Sequence, residues 1–203
     1  MGGFNQDMLD RMSFQTFDPH GSMNSDAGQR ESLKMAVKAA QSFAQSPEGW
    51  LFFTGAHGCG KTHLAMAASG ETIKRGKATI LAFVPALLDH LRAAFSPESK
   101  LTYDEMFEQI KTAPLLVLDD LAAESSTPWA EDKLYQLIVY RHNLRIPTII
   151  TSALDSNEIE AKKPGVGSRL KDQLVVQEII ITGPDYRNQQ HSQQRSRKQK
   201  HSN

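Results

Sequence analysis

The chain of 203 residues has a single cysteine, Cys59, and no apolar stretch as long as a membrane span. One cysteine excludes an internal disulfide and is typical of proteins from a reducing cytoplasm. The N-terminus also lacks the basic stretch and apolar stretch of a signal peptide, and a membrane helix needs about 18 or more apolar residues. An excess of one charge is missing too, because 23 basic residues balance 23 acidic ones. The sequence therefore predicts a cytoplasmic protein without a membrane span, in which any nucleic-acid contact comes from a local patch.

The composition that is present, 39% hydrophobic and 23% charged, is typical of a globular domain. Residues 1–24 are polar and aperiodic, which predicts a flexible N-terminal arm, although Phe14 and Phe17 could pack on the domain. Residues 188–203 contain basic and polar side chains but no acidic or apolar one, which predicts a disordered basic tail. The ordered domain is therefore expected at 25–187.

Residues 55–62, with the sequence GAHGCGKT, match the phosphate-binding pattern G-x-x-x-x-G-K-[ST]. An apolar strand is expected before this loop at 50–54, and a helix after it at 61–75, as the pattern requires. Glycines let successive backbone N–H groups point at one phosphate, and the positive end of the helix faces the same place. Lys61 would contact the β- and γ-phosphates, and the Thr62 hydroxyl would bind Mg²⁺. The residues expected to hold the nucleotide in this loop are Gly55, Gly58, Cys59, Gly60, Lys61, Thr62 and His63. The sequence therefore predicts binding of a nucleoside triphosphate.

A second apolar strand, expected at 114–120, ends in two carboxylates, Asp119 and Asp120. Ligands of parallel α/β sheets lie outside the carboxyl ends of the strands, so these acids are expected beside the metal held by Thr62. Asp119 would orient Mg²⁺ or its waters, and Asp120 would polarise the attacking water. A third strand, at 148–152, ends in Thr151-Ser152. Ser152 is the predicted contact to the water or γ-phosphate, with Thr151 as the alternative and a simple turn-forming role also open.

Strands expected at 50–54, 78–84, 114–120, 148–152 and 175–182 alternate with helical segments. This alternation predicts an α/β fold with a five-stranded parallel sheet and helices on both faces.

Five motifs in a fixed order carry a family resemblance that covers roughly residues 14–188: GxxxxGKTHLA, LLVLDDL, PTIITS, SRL and GPDYR. This order resembles the AAA+ ATPases of the DnaC/DnaI helicase-loader group, and the related IstB transposition helpers share much of it. The resemblance implies an AAA+/RecA-like P-loop NTPase with a minimal or absent C-terminal lid, using ATP and Mg²⁺. It also implies that Arg169 is an arginine finger acting on a neighbouring subunit's ATP and that Arg187 is the sensor-2 arginine. The partners so implied are single-stranded DNA, a replicative helicase or transposase, and further copies of this chain in an ATP-dependent homo-oligomer.

The resemblance has two departures. Ala153 stands where the family usually has asparagine, directly after the strand at 148–152, so hydrolysis is expected to be slow. Only a short arm precedes the first long helix, so a helicase contact would fall to the arm around 8–12.

Three alternatives to a loader remain open: an IstB-like helper acting on duplex DNA, a nucleotide-gated adaptor that hardly hydrolyses, and a small-molecule kinase. The paired acids and the SRL and DYR motifs argue against the kinase.

Arg141 shares the apolar stripe of the helix expected at 128–144 with Leu134, Leu137 and Ile138. A buried guanidinium needs partners, since burying an unpaired charge is very costly. Two hypotheses follow: Arg141 extends its head to water while its stem covers the core, or it pairs with a carboxylate or phosphate at a subunit interface.

Overall fold

The computed structural model of the chain describes residues 6–21, 25–95, 102–121, 127–183 and 185–186. Within them the chain forms α1 (Gln6–Arg11), α2 (Ala27–Gln45), β1 (Trp50–Gly55), α3 (Lys61–Lys74), β2 (Thr79–Phe83), α4 (Val84–Ala93), α5 (Tyr103–Thr112), β3 (Leu115–Leu121), α6 (Pro128–Asn143), β4 (Thr148–Ser152), α7 (Ser156–Lys162), α8 (Pro164–Leu170) and β5 (Val176–Ile181). Among these helices none is both long and apolar enough to cross a bilayer.

The five strands form one parallel sheet in the order β2-β3-β4-β1-β5. Side chains of a strand alternate between the two faces, so each central strand supplies two separate cores. In β1, Leu51 and Phe53 face the core shared with α2 and α3, whereas Trp50 and Phe52 face the core shared with α4 to α8. The predicted parallel sheet with helices on both faces is confirmed.

The sheet order sets where a ligand can bind. β1 lies between β4 and β5, and β4 lies between β1 and β3. The loop after β1 and the carboxyl ends of β3 and β4 therefore open onto the same edge of the sheet, where ligands of such folds bind.

Local sequence signals explain most element boundaries. The Asp26 side chain caps α2 by accepting the Gln29 backbone N–H at 2.8 Å. The Gln29 side-chain oxygen accepts the Asp26 backbone N–H in turn, which makes a capping box. Pro164 opens α8, because proline suits the first turn of a helix.

The arm at residues 1–24, predicted to be flexible, contains the short helix α1. α1 packs against α3, and Phe17 is buried with only 9% of its surface exposed. Leu9, Met12 and Phe14 pack against the α2–α3 core. The helix escaped sequence analysis because it is six residues long and has no buried residue of its own to give an apolar period.

Arg141 contradicts both hypotheses drawn from its position in the apolar stripe. Its side chain is 1% exposed, and among the described residues its hydrogen-bond acceptors are four backbone carbonyls and the Thr148 hydroxyl. Nη1 donates to the carbonyls of Ile110, Lys111 and Ala113 at 3.3, 3.0 and 2.9 Å, while Nη2 donates to Pro147 at 2.6 Å. Arg141 therefore ties the end of α5 to the start of β4 from inside the fold.

Candidate nucleotide-binding site

The loop between β1 and α3 has the curled backbone that the sequence pattern predicts. Gly58 and Gly60 have φ angles of +75° and +107°, which side-chain-bearing residues rarely adopt. A Cβ at Gly58 would lie 1.9 Å from Asp185 Oδ1, and one at Gly60 would lie 2.8 Å from the Phe17 ring. These glycines are therefore required both by the loop's conformation and by the segments packed against it.

Lys61 is held inside this loop. Its Nζ donates to the Gly55 carbonyl at 2.7 Å and to the Ala56 carbonyl at 2.8 Å, and its side chain is only 8% exposed. An ammonium group has three donors, and the third is directed at the Cys59 sulfur, a weak acceptor, at 3.9 Å. The Lys61 ammonium is thus fixed at the floor of the loop, where anionic oxygens would compete with neutral carbonyls for its donors.

The two acids lie near the carboxyl end of β3, beside the start of α3. Asp119 Oδ1 accepts the Thr62 hydroxyl at 2.9 Å and the Thr151 hydroxyl at 2.7 Å. Burial raises the pKa of Asp119 above its ordinary value, and the neighbouring Asp120 carboxylate raises it further, whereas the two hydroxyls and the Lys61 ammonium lower it. The threonine of the loop, the first acid and the end of β4 therefore form one hydrogen-bonded group.

Asp120 has a strained backbone, with φ at +61°. Aspartate tolerates this left-handed region better than most residues, but the conformation persists only where its surroundings fix it. Its backbone N–H donates to Thr151 Oγ1 at 2.9 Å, next to a register shift between β3 and β4. Thr151 therefore holds both acids, since its one hydroxyl donates to Asp119 and accepts from Asp120.

Oxygen ligands suited to Mg²⁺ are present in this group. The ion prefers hard oxygens and is usually bound through one or two carboxylates together with substrate phosphates. Among the described residues no cluster of three or more His, Cys, Asp or Glu side chains forms a metal site made of protein alone. The hydroxyl of Thr62 and the carboxylate of Asp119 fit an ion that completes its shell with phosphate and water.

The structure does not bring every predicted residue to this group. Ser152 donates its hydroxyl to the Leu121 carbonyl at 2.9 Å and accepts the Leu154 N–H at 3.0 Å, so it closes the turn after β4 and Thr151 takes the place beside the acids.

Cys59 is fully buried in the core beneath the loop, where burial raises its thiol pKa. Arg169 lies on α8, outside the cavity at the loop. Arg187, the basic tail and any C-terminal lid fall outside the described residues.

The arm packs over the phosphate-binding loop, and His63 on α3 holds it there. His63 Nε2 lies 2.9 Å from the Ser13 carbonyl and 3.2 Å from Thr16 Oγ1, and its ring meets the edge of Phe17 at 5.1 Å between centroids. Burial lowers the pKa of His63, although the bond to Ser13 opposes the shift. The residue after the predicted metal-binding threonine is thus the anchor of the arm, a role that no sequence signal announced.

A cavity of about 900 Å³ joins these groups. One part is polar, with Lys61, Thr62, Asp119, Asp120 and Thr151, as the phosphates of a nucleotide would need. The arm and the C-terminal end of the described chain add a less polar wall formed by Met8, Met12, Phe17 and Tyr186. Its size is in the range of pockets that hold drug-sized ligands.

Comparison with known proteins gives the same fold. The family described as IstB-like ATP binding protein matches residues 12–194. The replicative helicase loader DnaC of Buchnera aphidicola (Acyrthosiphon pisum strain) is 26% identical over 147 residues, which is 72% of this chain and 58% of that protein. The loader DnaI of Bacillus subtilis is 28% identical over 54% of this chain and 35% of its own length. A crystal structure of DnaI superposes with a TM-score of 0.68 at 27% identity and covers 90% of this chain and 94% of that one. This chain spans about a third to three fifths of the length of these two loaders, and the predicted P-loop AAA+ fold is confirmed.

Proposed function

Because this chain belongs to the family of IstB-like ATP binding proteins, we propose that it is a Mg²⁺-dependent ATPase whose nucleotide state controls self-assembly and engagement of single-stranded DNA and a replicative helicase. The observation that carries the ATPase proposal is the group formed by Thr62, Asp119, Thr151 and Asp120 beside Lys61 in one cavity. Its members come from three separate strand ends, and they combine phosphate-binding, metal-binding and water-activating side chains.

Binding would begin at the loop. Lys61 would exchange the Gly55 and Ala56 carbonyls for oxygens of the β- and γ-phosphates, because a charge-assisted hydrogen bond is stronger than one to a neutral carbonyl. Backbone N–H groups of the loop and the N-terminal end of α3 would hold the remaining phosphate oxygens. The arm would border the base with Met8, Met12 and Phe17.

Hydrolysis would then depend on the acids. Thr62 and Asp119 would hold Mg²⁺, whose positive charge would be supplied to the phosphate oxygens. Asp120 would accept a hydrogen bond from the attacking water and orient it, with its backbone fixed by Thr151. Ala153, in place of the family's asparagine, leaves one polar group fewer near this water, so we expect slow intrinsic turnover.

Arg169 would complete the site of a neighbouring subunit. An arginine finger places a cationic fork against charge that develops on the γ-phosphate. Arg169 is half-buried on α8 and does not border its own subunit's cavity, as expected of a residue that acts between subunits. Assembly and hydrolysis would therefore depend on each other.

Single-stranded DNA would bind a surface that we call the aromatic–basic surface, formed by Phe95, Tyr103, Trp129, Arg92 and Lys133. Phe95 stacks on Tyr103 with centroids 4.4 Å apart and is 57% exposed, while Arg92 lies 5.2 Å from the Trp129 ring and Lys133 lies 5.7 Å from the Tyr103 ring. The exposed ring of Phe95 and the half-buried rings of Tyr103 and Trp129, beside cations, suit unpaired bases and their phosphates. This surface supplies the local patch that a chain of zero net charge requires.

The helicase is proposed because the DnaC and DnaI relatives are named replicative helicase loaders. An IstB-like transposition helper is the second candidate, favoured by the family match. A protein with either role would work with ATP and DNA in the cytoplasm.

One assay separates these functions. The ATPase rate is measured with Mg²⁺ alone, with single-stranded DNA and with duplex DNA, using the parent and Asp120→Asn. We expect slow Mg²⁺-dependent turnover that single-stranded DNA stimulates and that Asp120→Asn loses while ATP binding is retained. Stimulation by duplex alone would favour the transposition helper. Nucleotide binding without turnover under all three conditions would make the chain an adaptor and refute the ATPase proposal.

The arginine finger has its own test, in which two inactive proteins are mixed. Lys61→Ala lacks a functional loop but keeps Arg169, whereas Arg169→Ala lacks the finger but keeps the loop. Turnover recovered on mixing supports action between subunits. Its absence at concentrations where sedimentation shows the two variants in one assembly would exclude that action.

A further inference from the structure

We propose that Tyr135 is the positioning residue for Arg169: its ring holds the guanidinium on the subunit surface in the orientation in which it meets a neighbour's triphosphate. This inference rests on the proposed role of Arg169 and adds a residue on a different helix to it. Tyr135 lies on α6, is 41% exposed and belongs to no motif in the sequence.

The contact between the two side chains is a cation–π pair. Arg169 Cζ lies 5.7 Å from the centroid of the Tyr135 ring, within the distance at which a guanidinium is attracted to an aromatic face. The ring also packs against the first turn of α8, since a Cβ at Gly165 would lie 2.6 Å from Tyr135 Cε2. Tyr135 therefore touches the helix at its start and the arginine near its end.

The arginine head is fixed from the helix side as well. Its Nη1 donates to the Gly165 carbonyl at 3.1 Å and to Ser168 Oγ at 3.2 Å. Two bonds at one nitrogen and a ring beside the head restrict the plane of the guanidinium. Among the described residues, Nε and Nη2 of Arg169 have no hydrogen-bond partner, so these donors are available to an anion outside the subunit.

The helix that carries Arg169 is itself rigidly placed. Gly167 is buried against α7, where a Cβ would lie 2.2 Å from the Glu160 Cα, so the two backbones are in direct contact. Lys171, one turn further, pairs with Glu160 at 2.7 Å. Because α8 cannot shift easily, the freedom that remains is that of the arginine side chain, and Tyr135 restricts it. A pre-oriented donor loses less entropy when it binds than a mobile one.

The test measures finger donation and excludes effects on the donor's own nucleotide pocket. Arg169→Ala subunits supply the intact pocket and the ATP turnover. The donors all carry Lys61→Ala, alone or combined with Tyr135→Ala, Tyr135→Phe, Tyr135→Leu or Tyr140→Ala. Tyr140→Ala is the matched control, because Tyr140 lies on the same helix and pairs with another cation, Lys111, at 4.5 Å.

We expect donors with Tyr135→Ala or Tyr135→Leu to support turnover about threefold to tenfold more slowly than the Lys61→Ala donor, at an unchanged KM for ATP. Tyr135→Phe keeps the aromatic face and should restore turnover, and Tyr140→Ala should match the Lys61→Ala donor. Tyr135→Leu keeps apolar packing against Gly165, so it tests the aromatic face even if Tyr135→Ala unfolds.

Each other result overturns the inference. If all Tyr135 donors match Lys61→Ala, Arg169 acts between subunits without help from Tyr135. If Tyr135→Phe fails as Tyr135→Leu does, or Tyr140→Ala fails equally, the aromatic face is not the cause. If the Lys61→Ala donor itself restores nothing in a demonstrated co-assembly, the finger proposal falls, and the role of Tyr135 with it.

Discussion

Lys61 and Arg141 are two buried cations of the same chain, and both donate to backbone carbonyls. Lys61 is 8% exposed and lies at the wall of a large cavity, where it binds two carbonyls of its own loop and, weakly, the Cys59 sulfur. Arg141 is 1% exposed and makes five hydrogen bonds, four to carbonyls and one to the Thr148 hydroxyl. Burial of a cation therefore does not indicate its function.

The number of donors satisfied and the access to a ligand distinguish the two. An ammonium on a flexible stem that holds only neutral acceptors, two carbonyls and a weak sulfur, can exchange them for phosphate oxygens. A guanidinium whose donors are shared among α5, β4 and the segments between them has no such freedom. Burial lowers the pKa of Arg141 to about 10, so it stays charged near neutral pH and remains a structural cation.

Substitution of Arg141 should have the largest effect of the changes considered, and the effect should be on stability. We expect Arg141→Met to destabilise the fold by about 3 kcal/mol or more, because several buried carbonyls lose their donor at once. Equilibrium unfolding in urea measures this loss, and nucleotide affinity measured below the transition should match the parent. Arg141→Lys keeps the charge but not the planar fork, so it should recover only part of the stability. A normally stable Arg141→Met with impaired assembly would return Arg141 to a subunit interface.

At Lys61 the effect should appear in binding and not in stability. Lys61→Ala removes the charge on the β- and γ-phosphates, which costs about 1.5–3 kcal/mol of affinity, or at least tenfold in Kd for ATP. Thermal unfolding without nucleotide should change little, since two neutral contacts are lost with the desolvated charge. A Kd within about threefold of the parent, measured by calorimetry, would refute the phosphate-loop assignment.

Asp119→Asn should abolish Mg²⁺-dependent hydrolysis while it raises thermal stability at neutral pH. Burial raises the pKa of Asp119, so the folded state disfavours the carboxylate that exists at pH 7. Asparagine keeps an oxygen for the Thr62 and Thr151 hydroxyls without that charge. Each kcal/mol relieved raises Tm by about 2–4 °C in a chain of this size.

The pH dependence follows from the direction of the shift. The stability difference between Asp119→Asn and the parent should be largest above the raised pKa and should shrink as the pH falls and the parent's carboxyl takes up its proton. Scanning calorimetry between neutral and acidic pH measures this. If Asp119→Asn is instead less stable than the parent at neutral pH, and this deficit shrinks as the pH falls, the carboxylate stabilises the fold.

The smallest effects distinguish the two hydroxyls at the end of β4. Thr151→Val and Ser152→Ala each remove a buried hydroxyl with two bonds and should each cost about 1–2 kcal/mol of stability. Only Thr151→Val should also reduce the ATPase turnover, because only Thr151 holds Asp119 and Asp120. Reduced turnover in Ser152→Ala with Thr151→Val unaffected would restore Ser152 as the catalytic hydroxyl.

The accuracy of the sequence predictions depended on the range of the interactions involved. The phosphate loop could be predicted because its glycines, lysine and threonine act within one continuous segment whose backbone needs those residue types. The strands could be predicted because apolar runs that alternate with helices allow few arrangements other than a parallel sheet. The sequence left open which of Thr151 and Ser152 bonds to the acids, because adjacent residues face opposite sides of a strand and the register shift beside β3 is not encoded locally.

The arm and Arg141 show the limit most clearly. A six-residue helix with no buried residue has no period, and the arm after it is held by contacts of Ser13 and Phe17 with His63, which is distant in sequence. The apolar stripe of α6 placed Arg141 on the buried face, but its acceptors lie on α5 and at the start of β4.

By itself, the sequence determined the α/β class, the phosphate loop and the pair of acids, since each depends on local backbone geometry or on periodic burial. Only the tertiary structure decided which hydroxyl joins the acids, what covers the loop and which cation is structural. Those outcomes depend on donors and acceptors brought together from distant segments, and a hydrogen bond of that kind leaves no periodic or local trace in the chain.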